Sequence, residues 1–368
     1  VDPLSQAVVG AIAAQSTAKS GELRAATVAG ALGGMAADLD VLIRSADDPL
    51  LFLEYHRHFT HALAFIPVGG ALVGCALWPL LRRHLSLSRL LWFATAGYAT
   101  HGLLDACTSY GTRLLWPLSD TRVAWNTVAV VDPFVTLPLL ALVVAAFVAR
   151  SARRGRVAAL ALVVMMGIGL VQRTRADALL SRMIEDHGFV AVRQSAKPTL
   201  MNMIVWRGVV QHRGAADGGD TLSAVALRPG LFGPHRASVV TSAPRFVLER
   251  DLPDLPPDSL LAEDIARFAH FSDGWLVTLD DALVKATIDD ALITDDADDE
   301  RRLLVIGDFR YAALPDAVAP LWAIVVDPRH PEAHARYVTL RRGASGQLLT
   351  QLGCRLSGSC LTIVEDQR

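Results

Sequence analysis

Residues 55–63 read YHRHFTHAL, which sets His56, Arg57, His58, Thr60 and His61 directly ahead of a long apolar run. Neutral imidazole is the commonest protein ligand for metals. Ionisable groups are costly in or beside apolar helices, yet this chain has several more. Asp38 and Asp40 end ATVAGALGGMAADLDVLI, His101 and Asp105 sit in YATHGLLDACTSYG, and Asp132 opens VDPFVTLPLL. His101 and Asp105 are four apart, so both project from one face of a helix and can reach one metal or two neighbouring ones. Imidazoles with carboxylates form a mixed nitrogen and oxygen set that suits Zn, Mn or another first-row divalent ion. Arg57 cannot be a ligand, but its fork holds a phosphate or carboxylate bidentately. A dinuclear site would polarise a phosphoryl oxygen and ionise water near neutral pH, so the implied reaction is metal-assisted hydrolysis.

These residues need elements that bring them together. Of 368 residues, 52% are hydrophobic, and nearly all long uncharged runs fall before residue 173. A helix needs about 20 mostly apolar residues to cross the hydrocarbon of a bilayer. Stretches 24–43, 61–81, 89–107 and 131–149 qualify, with 157–172 and 3–18 as shorter candidates, which predicts a bundle of five or six membrane helices over 1–172. Glycine and alanine recur at small-xxx-small spacing in GAIAAQSTA and VAGALGGMAA, a pattern that lets helices pack closely. The tight links AKSGELR, RRHLSLSR and RSARRGR are rich in Lys and Arg, which places them in the cytoplasm. Asp38, Asp40, His56, His61, His101, Asp105 and Asp132 then all fall at the opposite membrane face, and Asp2 joins them if 3–18 forms the first arm of a hairpin.

Beyond residue 173, a helical stalk ADALLSRMIEDHG leads into a mixed α/β (α+β) soluble domain, 173–368, on the extracytoplasmic side. Strands are expected in TLMNMIVWRGVV, GWLVTL, RLLVIGDFRYAAL and LWAIVVDP. The acidic run from Asp280 to Arg302 reads as a solvated face or loop. Cys354 and Cys360 can close a hairpin as a disulfide in an oxidising compartment. Cys75 and Cys107 read as small apolar fillers in the membrane half. A net charge of -2 and no basic patch interleaved with aromatics give no reason to expect nucleic acid. The start VDPLSQAVVGA lacks the basic region of a secretory signal, so the reading keeps it in the mature chain.

Simpler readings stand beside the metal site. Asp132 before Pro133 has the form of a helix N-cap with proline at N1, and Thr60 has the form of a cap for 61–81. His101 and Asp105 also fit a hydrogen-bonded couple that holds the bundle together. On an unbroken helix Asp38 and Asp40 point to nearly opposite sides, which would leave one as ligand and the other as its support. The remaining histidines, from His84 to His334, lack such company.

With these motifs in hand, the chain resembles the YdjM-like inner-membrane proteins, a bacterial family described as membrane-bound metal-dependent hydrolases. The resemblance runs through VDPLSQAVVGA, DLDVLI, YHRHFTHAL, HGLLDACTSYGTRLLWPLSD and VDPFVTLPLL, about the first 150 residues. The family pattern of D-x-D, H-R-G-x-T-H and H-x3-D falls on Asp38 and Asp40, on His56, Arg57, Thr60 and His61, and on His101 and Asp105. His58 stands where that pattern has glycine, and Ala37 stands where a proline is common. The His-x3-Asp helix is also similar to that of zinc-dependent phospholipase C and P1-type nucleases, which implies a phosphoester substrate by analogy.

The expectation is therefore an integral-membrane hydrolase of a phospholipid or lipid-linked phosphate, in the bacterial inner membrane, acting through metal-activated water. Asp38, Asp40, His56, His61, His101 and Asp105 would hold Zn or Mn, Arg57 would grip the anionic group, and Thr60 would orient a ligand or water. The competing expectation is a non-catalytic anchor or assembly factor, with a structural metal and a C-terminal domain that binds a protein partner. A metal transporter is weaker still, because ionisable residues do not line the midplane of several helices.

Overall fold

The computed structural model describes residues 1–214, 219–230, 234–287, 303–340 and 345–364. Two compact units make up the chain. The first comprises Val1–Ile43, Tyr55–Arg173 and Leu200–Met203, the second Arg44–Glu54, Thr174–Thr199 and Ile204–Arg368.

The first unit is helical: α1 Pro3–Thr17, α2 Leu23–Met35, α4 Ile66–Leu81, α5 Leu87–Cys107, α6 Pro133–Ala149 and the first part of α7 Ala152–Asp186. Its starts are fixed by capping. Asp2 accepts from the Ser5 amide with Pro3 at the first helical position, and Asp132 accepts from the Phe134 amide ahead of Pro133. The cap expected at Asp132 is thus formed. That expected at Thr60 is not. Two short 3-10 turns, Phe59–His61 and Leu63–Phe65, intervene before α4, and its N-cap position is Phe65.

Glycine sets how closely the helices approach. A Cβ on Gly10 would collide with the carbonyl oxygen of Gly30, and one on Gly97 would collide with the same carbonyl. Hence α1, α2 and α5 pack backbone against backbone, as the small-xxx-small runs predict. Outward, α4 and α7 leave Leu72, Leu80, Leu160 and Val163 exposed, an apolar surface that lipid solvates better than water.

Three helical stretches among the described residues are long and apolar enough to cross a membrane: Leu23–Leu42, Leu63–Leu81 and Ala152–Asp186. The expected count of five or six is not confirmed. α1 and α6 have 15 and 17 residues, and α5, though 21 residues long, spends part of its sequence on His101 and Asp105. Cys75 lies exposed on α4 rather than filling an interior gap, and Cys107 is half-buried.

The second unit, which holds most of α3 Leu51–Tyr55 together with α8 Leu248–Asp251 and α9 Leu260–Phe271, is rich in antiparallel sheet. One sheet runs β1 Ala191–Pro198, β2 Trp206–Arg213, β3 Asp220–Arg228, β4 His235–Ala237 and β10 Thr362–Val364, with β5 Thr241–Pro244 paired to β3. The other runs β6 Leu276–Thr278, β7 Leu304–Asp308, β8 Trp322–Val326 and β9 Arg336–Thr339. Alternation along the strands divides the faces. Val209, Leu222 and Ala224 share a core with Val305, Ala323 and Val325 of the second sheet, whereas Trp206, Val210 and Val225 pack on Leu179, Leu180 and Met183 of α7. The expected stalk is thus the end of α7. TLMNMIVWRGVV is strand only from Trp206 onward. The acidic run contributes α10 Asp281–Thr287, and its remainder, 288–302, lies outside the described residues. Cys354 and Cys360 are joined, with Cα atoms 5.6 Å apart, but the first lies on α11 Ser345–Ser357, so the bridge closes a helix end and turn instead of a hairpin.

Lys197 is a buried cation facing Arg207 across β1 and β2, with its amine 5.7 Å from the centre of the Tyr311 ring. Burial, and then the Arg310 guanidinium, push its pKa down to about 7. Between pH 7 and 10 the unfolded chain therefore binds a proton that the folded one does not, so stability rises with pH across that window. Thermal unfolding should show the second unit gaining stability from pH 7 to pH 9. Lys197→Met should remove that gain and stabilise the unit at pH 7 by on the order of 1 kcal/mol or more.

Candidate metal centre

The site begins with a change of helix type. After Gly33 and Gly34, α2 gives way at Ala36 to a 3-10 segment, Ala36–Leu42. Residues two apart are separated by about 160° around an α-helix but about 120° around a 3-10 helix. The tighter winding turns Asp38 and Asp40 toward the same cluster, in place of the opposite sides expected from an unbroken helix. The break forms with Ala37, not a proline, ahead of Asp38.

On α5, Gly102 admits the next element. A Cβ there would collide with the backbone carbonyl oxygen of His61. The Tyr98 hydroxyl donates to the Thr60 carbonyl at 2.8 Å, which holds the same turn.

His61, His101 and Asp105 are buried, and Asp38 is partly open. His61 Nε2 lies 2.8 Å from His101 Nε2, 3.5 Å from Asp38 Oδ1 and 3.2 Å from Asp105 Oδ2. His101 Nε2 lies 3.3 Å from Asp38 Oδ1 and 3.9 Å from Asp105 Oδ2. The second distance is too long for a hydrogen bond. His101 and Asp105 are therefore not a bonded couple; each turns toward His61.

Outer partners fix the rings. His101 Nδ1 is 2.5 Å from the Gly34 carbonyl, which can only accept, so the proton sits on Nδ1. Thr60 donates its hydroxyl proton to Asp40 Oδ2 at 3.1 Å, leaving its oxygen to accept from His61 Nδ1 at 3.0 Å. Asp40 Oδ2 is also 3.3 Å from that nitrogen. With Nδ1 engaged outward, each ring presents Nε2 to the cluster, the geometry that carboxylates and carbonyls impose on metal-binding histidines. Four acceptor atoms converge, an arrangement that is costly unless positive charge joins them. Three carboxylates (Asp38, Asp40, Asp105) face the Arg57 guanidinium and the Val1 amine, which lies 2.6 Å from Asp105 Oδ1, so negative charge is left over for a cation to balance. One proton between the rings would relieve a single repulsion; a divalent ion relieves the set.

The potential ligand atoms of Asp38, His61, His101 and Asp105 all lie within 4.8 Å of one another, and so do those of Asp38, Asp40 and His56. Asp38 belongs to both groups, so the arrangement could hold one ion or two that share a carboxylate. Several residue groups could thus take a metal, of a kind the donors alone do not specify.

Arg57 has φ 64°, a left-handed conformation unusual outside glycine and asparagine. Its amide donates to Asp40 Oδ2 at 2.9 Å, its carbonyl accepts from Arg113, and its Nη1 donates to Thr108 Oγ1 at 3.2 Å. Nε stands 3.3 Å from Asp105 Oδ2, and the guanidinium lies over the Tyr110 ring. His58 turns instead to the rings of Tyr55, Phe59 and Trp116 and is in neither group. Asp2 and Asp132 serve as helix caps.

Sequence reasoning missed the Gly34 carbonyl, Gly102, Thr108 and Gln6. Gln6 is fully buried on α1 and donates to Asp105 Oδ1 at 3.1 Å. A glutamine directly ahead of the apolar AVVGAIAA was the available signal. Asp48, Asp264 and His334 of the second unit form a third group, whose cation is the side chain of Arg267.

An apolar helical unit that buries histidines and carboxylates at one end defines a membrane protein with possible metal-binding residue groups. The family model described as YdjM inner membrane protein matches residues 1–176, which include every residue of the two groups. Over that stretch, just under half of the chain, the protein is similar to the YdjM inner membrane proteins. It is also similar to the uncharacterized protein YfhP of Bacillus subtilis (strain 168), at 26% identity over 117 residues, 32% of this chain. The match spans about a third of that relative, 35% of its length. No solved structure matches the chain.

Purified protein should carry divalent metal measurable by inductively coupled plasma mass spectrometry. His61→Ala and Asp105→Ala should each lower it. Gly102→Ala should do so as well without removing a ligand, by pushing the His61 backbone away; full metal content in that variant would contradict the close approach.

Proposed function

We propose that the first unit is an integral-membrane metal-dependent hydrolase of a phosphoester, such as a phospholipid or lipid-linked phosphate, using metal-activated water. The observation that carries this reading is the pair of inward Nε2 atoms of His61 and His101, set among Asp38 and Asp105 with their outer nitrogens already engaged. A divalent ion held there would polarise a phosphoryl oxygen and lower the pKa of water.

The two groups divide the work. Asp38, His61, His101 and Asp105 offer four protein donors, the number that closes a structural site, whereas Asp38, Asp40 and His56 offer three and leave a position for water. His56 is 36% exposed and keeps Nδ1 2.9 Å from Asp40 Oδ1, so the open group is the one that faces outward. Asp40 orients His56 and His61 through their Nδ1 atoms, and Thr60 fixes Asp40 and His61 together. Arg57 steadies Asp105 and adds the positive charge that an anionic substrate would meet.

Burial favours a second reading. His61, His101 and Asp105 are closed from solvent, as in a structural site, so a non-catalytic membrane anchor or assembly factor is the alternative. Support for the membrane setting comes from the family and the apolar helices. The bacterial inner membrane, the multi-pass arrangement and an extracytoplasmic second unit belong to the proposal, supported by the basic links and by the Cys354–Cys360 bridge.

Wild-type protein should hydrolyse a phosphodiester or a phospholipid in mixed micelles, and His101→Ala should reduce this to background while keeping its helix content. Equal turnover in that variant would exclude the catalytic reading and leave the anchor. For orientation, single cysteines replacing His84 and Asp120 in a Cys75→Ser background should react with a membrane-impermeant maleimide only at position 120 in intact cells; labelling at 84 instead would invert the topology.

A further inference from the structure

Residues 44–54 join the two halves of the ligand set. Asp38 and Asp40 lie just before them, and His56 and His61 just after. Yet Arg44–Glu54 packs in the second unit, whereas the residues on either side belong to the first. Within the second unit this strap is held firmly. Leu50 and Leu53 are buried, and Phe52 meets Tyr337 edge to face with ring centres 5.0 Å apart.

Arg267 on α9 Leu260–Phe271 gathers the polar contacts. Its Nη2 is 2.8 Å from Asp48 Oδ2 and its Nη1 3.1 Å from Asp48 Oδ1, a bidentate pair. Nε is 2.6 Å from Glu54 Oε1, and Nη1 is also 3.0 Å from Asp264 Oδ1. Asp264 is fully buried and in turn accepts from the Ala335 amide and faces His334 Nδ1 at 2.8 Å. One guanidinium thus ties the middle and the far end of the strap to a carboxylate fixed in the body of the unit. Glu54 is two residues from His56, and Asp48 eight from Asp40.

Metal affinity depends on holding donors to within about 0.5 Å of their working positions. A strap free to sample many conformations would pay its ordering entropy at each binding event. We propose that Arg267 is a positioning residue for the metal centre, clamping Asp48 and Glu54 so that the strap presents the D-x-D and H-R-x-x-T-H segments at the right separation. The second unit thereby regulates the centre through a covalent tether. This inference rests on the metal-site reading above, although not on catalysis.

Co2+ titration of the full-length protein in detergent, followed by its visible absorption, tests the clamp. Wild type should show a saturating d–d band that His61→Ala loses. Asp48→Asn/Glu54→Gln spares the Arg267–Asp264 contact and every core residue; it should weaken Co2+ binding about tenfold or more and alter the band shape, while amide exchange in β2 and β3 stays unchanged. Arg267→Glu should do the same. Wild-type affinity and an unchanged spectrum in either folded variant would overturn the clamp and leave the metal site standing. Wild-type protein indistinguishable from His61→Ala would overturn the metal site and the clamp together.

Discussion

Two imidazole nitrogens 2.8 Å apart, each with its far side already committed, are the constraint around which the first unit is organised. Neither ring can turn away without breaking a buried hydrogen bond. The Gly34 carbonyl receives His101 close to where α2 passes into 3-10 winding, and the same change swings Asp38 and Asp40 inward. A single local event, the passage from α to 3-10 winding, thus supplies both an outer partner and the inner carboxylates.

Close helix packing is what makes this arrangement possible. Side chains as short as aspartate and histidine meet across three segments only if the backbones carrying them nearly touch. The glycine contacts of α1, α2 and α5 provide that proximity in the bundle, and Gly102 provides it at the site. Polar residues that lipid would otherwise penalise are placed where each finds company. Specific packing and the capacity to concentrate charge are therefore linked in this unit.

Much of this was legible in the sequence, because chemistry-bearing residues are rare in an apolar background and stand out by type. Asp38, His61, His101 and Asp105 could be named, and i,i+4 spacing put two of them on one helical face. The Asp132 cap followed from its proline. What was not legible depended on backbone geometry. Nothing in ADLDVL announces 3-10 winding, and a backbone acceptor such as Gly34 has no side-chain signature. Thr60 looked like a cap because its position relative to the apolar run was right, but two 3-10 turns moved the start of α4 onward and left its hydroxyl to Asp40. The count of spanning helices faltered for a related reason: α5 is long enough, but the residues that make it interesting lower its apolarity. In the second unit, strands were found by β-branched and aromatic runs, whereas the membership of residues 44–54 could not be seen, since it rests on contacts with residues more than two hundred positions away.

Arg57 carries a consequence of its own. Its left-handed backbone costs roughly 1 kcal/mol or more for a residue with a Cβ, and glycine or asparagine would remove most of that cost. Random substitution filtered only for thermal stability would drift toward those residues at this position. The arginine there marks a trade in which the fold gives up some resistance to unfolding to keep a guanidinium beside Asp105 and Thr108. The position is a place where the interests of folding and of the site diverge.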